Sequence, residues 1–388
     1  MRTLLTLATV LIPGLLGAPL EPRFRAVDVD THIAVGYGVT VADVDGDSRP
    51  DIVLCDAKQV AWYHNPGWEK HLLAENLTRQ DHVCVAAADI DGDGKAEIAV
   101  GAGWNPGDTV GSGALFYLVA PSDRTAPWTP VPLPHQPTMH RIRWVREAGR
   151  GWTLWSVPLH GRGNQDGRGE GVRIQRYVPS KDRLQPWTVE TVAESWHKTH
   201  NFEPVAEPDG SVRRVRVAAA EGVFEVGLDG TTGILPAKTL GSGENGGVGE
   251  VRSLEASAGS VVGISPMHGN QLVVFHPPAP GTSGLGTREV VDDSLIDGHA
   301  LACGDLLGMG QFQIVAGWRA MNRPRSVQVG IALYIPVGNR WMKVLVDDNQ
   351  MACEDLCLAD LNGDGRLDIV AAGRSTKNVK VYFNESPR

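Results

Sequence analysis

Beyond its first residues, no stretch of this 388-residue sequence approaches the roughly 20 apolar residues a membrane-spanning helix needs, which excludes such a span. Nor is there a basic excess. The 36 Lys and Arg stand against 45 Asp and Glu, a formal net charge of −9, which argues against a nucleic-acid surface. Cysteine is scarce and odd in number: Cys55, Cys84, Cys303, Cys353 and Cys357 sit mostly in apolar, strand-like patterns and read as small buried hydrophobes. Spacing alone does not establish a Cys353–Cys357 disulfide. Aromatics make up only 6%, yet 42% of the residues are apolar, enough for a large core and incompatible with disorder. What the chain has in excess is turn formers, 46 Gly and 25 Pro without a collagen period, which point to many short strands.

The N-terminus reads as an address. Arg2 supplies positive charge, Leu4 to Leu16 is apolar, and Gly17-Ala18 ends the run with small residues. Residues 1–18 are therefore expected to be a signal peptide and residues 19–388 a secreted or periplasmic mature chain.

Internal repetition sets the fold. VADVDGDSRPDIVL from Val41, AAADIDGDGKAEIAVG from Ala86 and CLADLNGDGRLDIVAAG from Cys357 superpose. ACGDLLGMGQFQIVAGW from Ala302 keeps the frame but loses most carboxylates. The leading aspartates Asp43, Asp89, Asp305 and Asp360 are 46, 216 and 55 residues apart, and the long gap holds three more units, with degenerate strand patterns inside it. Seven units of about four strands predict an all-β, seven-bladed β-propeller in one domain. The last unit has room for about three strands, so the early segment Phe24 to Asp30 is expected to complete it and close the ring without leaving edges.

These units resemble the FG-GAP/VCBS family of propeller repeats. Asp43, Asp45, Asp47 and Asp51 present carboxylates at alternate positions, with Gly46 permitting the tight turn. Asp89, Asp91, Asp93 and Glu97 repeat the pattern, as do Asp360, Asn362, Asp364 and Asp368. Hard oxygen ligands at this spacing suit Ca²⁺. The Asp305 loop reads better as an Asx-stabilised turn. Without these three loops the count is 34 acidic to 36 basic residues, so the acidity is local.

Strand direction gathers a second set on the opposite face. Residues just before the first strand of each unit are His82, His140, His200, Glu250, His299 and Glu354. Residues just after the second strand include Trp104, His160, Arg162, His268, Trp318, Arg319, Arg374 and Lys377. Imidazoles with a carboxylate form a ligand set for Zn²⁺ with an open position. His140, His200 and His299 are the expected ligands, with Glu250 or His268 near the fourth position. His82, Glu354 and His268 are the candidate acid–base groups. Trp104, His160, Arg162, Trp318, Arg319, Arg374 and Lys377 are candidate walls for a hydroxylated or anionic small ligand.

The segments LHGRGNQ, HKTHNFEPV, SPMHGNQ, DGHALACGD and AGWR, with the final repeat, resemble the propeller domain of the aldos-2-ulose dehydratase family. That resemblance implies a zinc ion at the bottom of a cleft and dehydration of keto sugars such as 1,5-anhydrofructose. The family enzyme adds cupin and lectin domains, so the isomerase step linked to the cupin site is expected to be absent. Two functions follow. One is a zinc lyase eliminating water from a small carbohydrate substrate. The other is a non-catalytic, calcium-binding propeller that binds glycans or proteins.

Overall fold

The computed structural model describes residues 21–234, 247–254, 259–277, 286–320 and 327–387. The expected signal peptide lies outside them. The described residues form 28 strands and no helix, so none contains a helix able to cross a membrane. Five sheets have four strands, and a sixth has eight.

The sheet built from Gly36–Ala42, Asp51–Asp56, Gln59–His64 and Glu69–Glu75 shows the pattern: the strands pair antiparallel in chain order. Its second strand, DIVLCD, is buried at every position, as are EIAVGA, QIVAGW and DIVAAG in three other sheets. These continuous apolar runs lie between neighbouring sheets, where both faces are covered. The outermost strand Thr287–Asp292 has no buried position and stays partly open to water.

Close approach between sheets needs small residues. A Cβ on Gly317 would lie 2.6 Å from the Cys353 side chain of the next sheet, so glycine is required there. The cysteines serve the same packing. All five are free, and Cys55, Cys84 and Cys353 are buried.

The eight-stranded sheet consists of two four-stranded groups, Met139–Ser195 and Thr199–Ile234, linked by the single pairing Glu147–Val212. The first strand of the chain, Phe24–Asp30, pairs antiparallel with the last, Val379–Asn384, from Phe24–Asn384 to Asp30–Val379. The Tyr63 hydroxyl donates to Asp30 at 2.7 Å and ties that strand to the adjoining sheet.

Candidate metal centre

Five strands, each the first of its four-stranded group, shift register near their start. The displaced residues are Tyr37, His140, His200, His299 and Glu354. An extra residue in one strand re-aims its side chain, and these five border one cavity of about 270 Å³.

The imidazoles are held from behind. His140 Nδ1 donates to the His200 carbonyl at 2.8 Å, His200 Nδ1 to Gly249 at 2.9 Å and His299 Nδ1 to Glu354 at 2.5 Å. In each case the acceptor lies at or just before the start of the first strand of the next four-stranded group. Donation from Nδ1 leaves Nε2 as the lone-pair nitrogen. Burial lowers the pKa of all three rings well below the usual histidine range; Arg141 pushes all three the same way, and Arg319 does so for His200 and His299. His268 is lowered too, mainly by burial.

His200, His268 and His299 each bring one nitrogen within 4.8 Å of the others. His268 Nε2 lies 2.7 Å from His200 Nε2. Two bare lone pairs repel at that distance, so the contact requires a proton on one nitrogen or a cation bound to both. Three neutral imidazoles around a common point, with an adjoining cavity, fit a zinc site that keeps an open position.

The structure therefore seats the sequence candidates unevenly. His268 joins His200 and His299. His140 instead stacks on Trp104, ring centroids 5.0 Å apart, and its Nε2 accepts from Arg141 at 3.3 Å. Glu250 lies on the other side of His200, with Oε1 3.2 Å from Nδ1, so it backs the ring rather than facing the cluster. Burial raises its carboxyl pKa. His82 is wholly buried, its Nε2 accepts from the Leu77 amide at 3.2 Å, and Val83 takes the place on the cavity wall.

Glu354 is clamped. Both carboxylate oxygens lie 2.8 Å from Arg319 Nη1, and Arg374 Nη1 donates at 2.9 Å. Arg319 also reaches Asp297 at 3.0 Å, and Arg374 stacks over Tyr37 at 5.2 Å. Trp104, His160, Arg319 and Arg374 line the cavity. Trp318 turns into the core and donates to Gln328 at 3.1 Å, Arg162 reaches the Val110 carbonyl at 2.9 Å, and Lys377 is exposed. Three polar lining residues escaped sequence reasoning: Tyr37, Arg141 and Lys198. Tyr37 was detectable, because it lies six residues before Asp43, as His299 lies six before Asp305.

The acidic loops cluster at the other ends of the first strands. In the first, Asp43 accepts from the Gly46 amide at 2.7 Å and the Ser48 amide at 2.8 Å, and Asp51 accepts from Val44 at 2.9 Å. Asp89 and Glu97 repeat this with Gly92, Gly94 and Ile90, and Asp360 and Asp368 with Gly363, Gly365 and Leu361. Carboxylate oxygens of Asp43, Asp45 and Asp51 gather within 4.8 Å, as do those of Asp89, Asp91 and Glu97. Burial, reinforced by neighbouring aspartates, pushes Asp51 up to about 6 and Glu97 to about 7. A buried carboxylate facing other carboxylates is a fitting site for a hard cation. In the Asp305 loop Gln313 replaces that carboxylate and accepts from Leu307 at 3.0 Å, so the turn needs no ion.

Asp91→Ala removes one exposed carboxylate from the acidic cluster and no core contact. It is expected to reduce the calcium-dependent rise in unfolding temperature while leaving the metal-free value unchanged. Thermal melts with and without calcium check this; equal calcium stabilisation in variant and wild type would exclude Asp91 as a ligand.

An FG-GAP-like repeat model matches residues 34–100 and an FG-GAP repeat model residues 85–118. No curated protein matches the chain. Similar solved structures include a chain of the mitotic checkpoint complex, at 14% identity and TM-score 0.58 over 98% of this chain and 99% of that one. A β-propeller domain from Myceliophteria thermophila aligns at 8% identity and TM-score 0.56, covering 92% and 99%. The extracellular domain of a one-component system from B. thetaiotaomicron aligns at 14% and TM-score 0.53, covering 92% of this chain but 39% of that one. Such identities speak to fold alone. The chain is an all-β propeller that carries FG-GAP repeats.

Proposed function

We propose that the protein is a secreted, zinc-dependent lyase that removes water from a keto sugar by β-elimination. Its framework in this reading is a seven-bladed propeller, counting the eight-stranded sheet as two blades, with Phe24–Asp30 completing the last. Structural calcium occupies the acidic loops. The observation that carries the proposal is the convergence of three neutral imidazoles, His200, His268 and His299, the first and last held from behind, beside a cavity lined by further polar groups.

Zinc bound there supplies Lewis-acid polarisation of the substrate carbonyl, which acidifies the adjacent C–H. His160 borders the cavity outside the triad, and burial lowers its pKa, so its neutral ring is available to accept that proton. The imidazolium formed can return the proton to the departing hydroxyl. Trp104, fixed against His140, offers a flat wall to a sugar face. Glu354, clamped between two arginines, is in this reading a positioning group rather than the acid the sequence suggested.

Purified protein is expected to hold about one zinc ion per chain besides calcium and to convert a keto sugar into an unsaturated ketone, followed by ultraviolet absorbance. A protein holding only calcium would overturn the lyase reading in favour of a binding propeller.

The closure of the ring has its own test. Deleting Phe24 to Asp30 exposes the edge of Val379–Asn384, an unpaired template for aggregation. The truncated protein is expected to be insoluble or oligomeric by size-exclusion chromatography. A soluble monomer with an unchanged unfolding temperature would sink the closure.

A further inference from the structure

We propose that the cavity selects a sugar carrying a carboxylate, and that Arg141 and Lys198 recognise that anion. This deepens the reading of the cavity as the ligand site, but depends on neither the zinc nor the elimination.

The cavity wall holds four cationic side chains, Arg141, Lys198, Arg319 and Arg374, against one carboxylate, Glu354. Two of the four are committed. Arg319 is shared between Glu354 at 2.8 Å and Asp297 at 3.0 Å, and Arg374 pairs with Glu354 at 2.9 Å. The other two differ. Among the described residues neither Arg141 nor Lys198 has a carboxylate within 4.0 Å. Arg141 is buried, and Nη1 donates only to the carbonyl and ring of His140, at 3.1 and 3.3 Å. A guanidinium carries five donors in a planar fork matched to carboxylate geometry, so most of its capacity remains. Lys198 is anchored through its backbone, which pairs with His160 and whose carbonyl accepts from the Ala220 amide at 2.9 Å, and among the described residues its ammonium makes no hydrogen bond.

Partly desolvated cations without counter-charges are costly unless something completes them. The neighbouring imidazoles are neutral and cannot; buried Asp355 and Glu250 attract Arg141 from behind without an ion-pair contact, and neither lines the cavity. An anionic ligand would. The volume of about 270 Å³ is at the small end of ligand pockets, which suits one sugar ring. Trp104 and Leu159 supply the apolar wall for its face.

The test compares D-glucuronate with its neutral methyl ester by calorimetric titration. It uses full-length protein stripped of zinc by chelation and returned to calcium. A charge-assisted contact predicts that the acid binds about tenfold tighter or more, with the preference shrinking in added salt. Lys198→Met, at a partly exposed position, is expected to lose most of it, and Arg141→Gln likewise if that variant folds. Equal affinity for acid and ester, no binding of either, or full preference retained in Lys198→Met would overturn the assignment. So would a preference that appears only with zinc bound, since the metal would then be the anion's partner. Wild-type protein that holds no zinc yet prefers the acid would overturn the lyase reading alone.

Discussion

His268→Asn is expected to empty the proposed zinc site while leaving the fold intact. Of the three converging imidazoles, His268 is the one that can be changed at least structural cost. It is only half-buried, whereas His200 and His299 are 1% and 3% exposed and would leave cavities. Its backbone is left-handed, φ 57°, a conformation asparagine tolerates better than alanine. Its Nε2 lies 2.7 Å from His200 Nε2, so its removal takes away a direct donor. Losing a mere hydrogen-bond partner of a metal ligand typically weakens binding about 10–100-fold, and loss of one ligand in three is expected to exceed that. His140→Ala is the contrast. Its Nε2 is occupied by Arg141, so zinc should remain. Metal stoichiometry by mass spectrometry, beside thermal melts in calcium, checks both. A folded His268→Asn protein with one zinc per chain would overturn the triad, and zinc loss in His140→Ala would restore His140 to it.

The contrast between His140 and His268 marks where sequence reasoning stops. A repeat frame with carboxylates at alternate positions is a strong signal, and the acidic loops lie where the pattern puts them. The rim positions depend on a one-residue register, and a slip of one turns a strand side chain to the other face. Counting six back from the leading aspartate reaches Tyr37, Val83, His299 and Glu354. His82 is one residue off that count and is buried away from the cavity. Glu250 is one residue beyond Gly249, whose carbonyl holds His200, and so lies behind the ring. In the units without acidic loops there is no aspartate to count from, which is why Arg141 and Lys198 carried no signal. The residues after the second strand sit in turns of differing shape. Spacing could not separate Arg319, inside the cavity, from its neighbour Trp318 in the core.

Glu354→Gln is expected to unfold the protein more readily rather than switch off a proton transfer. Glu354 is 3% exposed and carries the negative charge for two arginines, with Arg319 itself 4% exposed. The mutual attraction of buried charges offsets their desolvation only while both partners are present. Removing one typically costs about 3–5 kcal/mol, because the other is left without its counter-charge. Asp297, 3.0 Å from Arg319, retains part of the compensation, so the loss should lie toward the lower end of that range. Arg374→Ala is the weaker partner of the comparison. Its side chain is 26% exposed and solvent can replace its contact, so a smaller loss is expected. Denaturant unfolding of both variants gives the order. A carboxyl that served as general acid would behave otherwise: Glu354→Gln would keep its stability and lose turnover. Unchanged stability in Glu354→Gln would therefore overturn the clamp and return Glu354 to the proton-transfer role suggested by its place in the repeat.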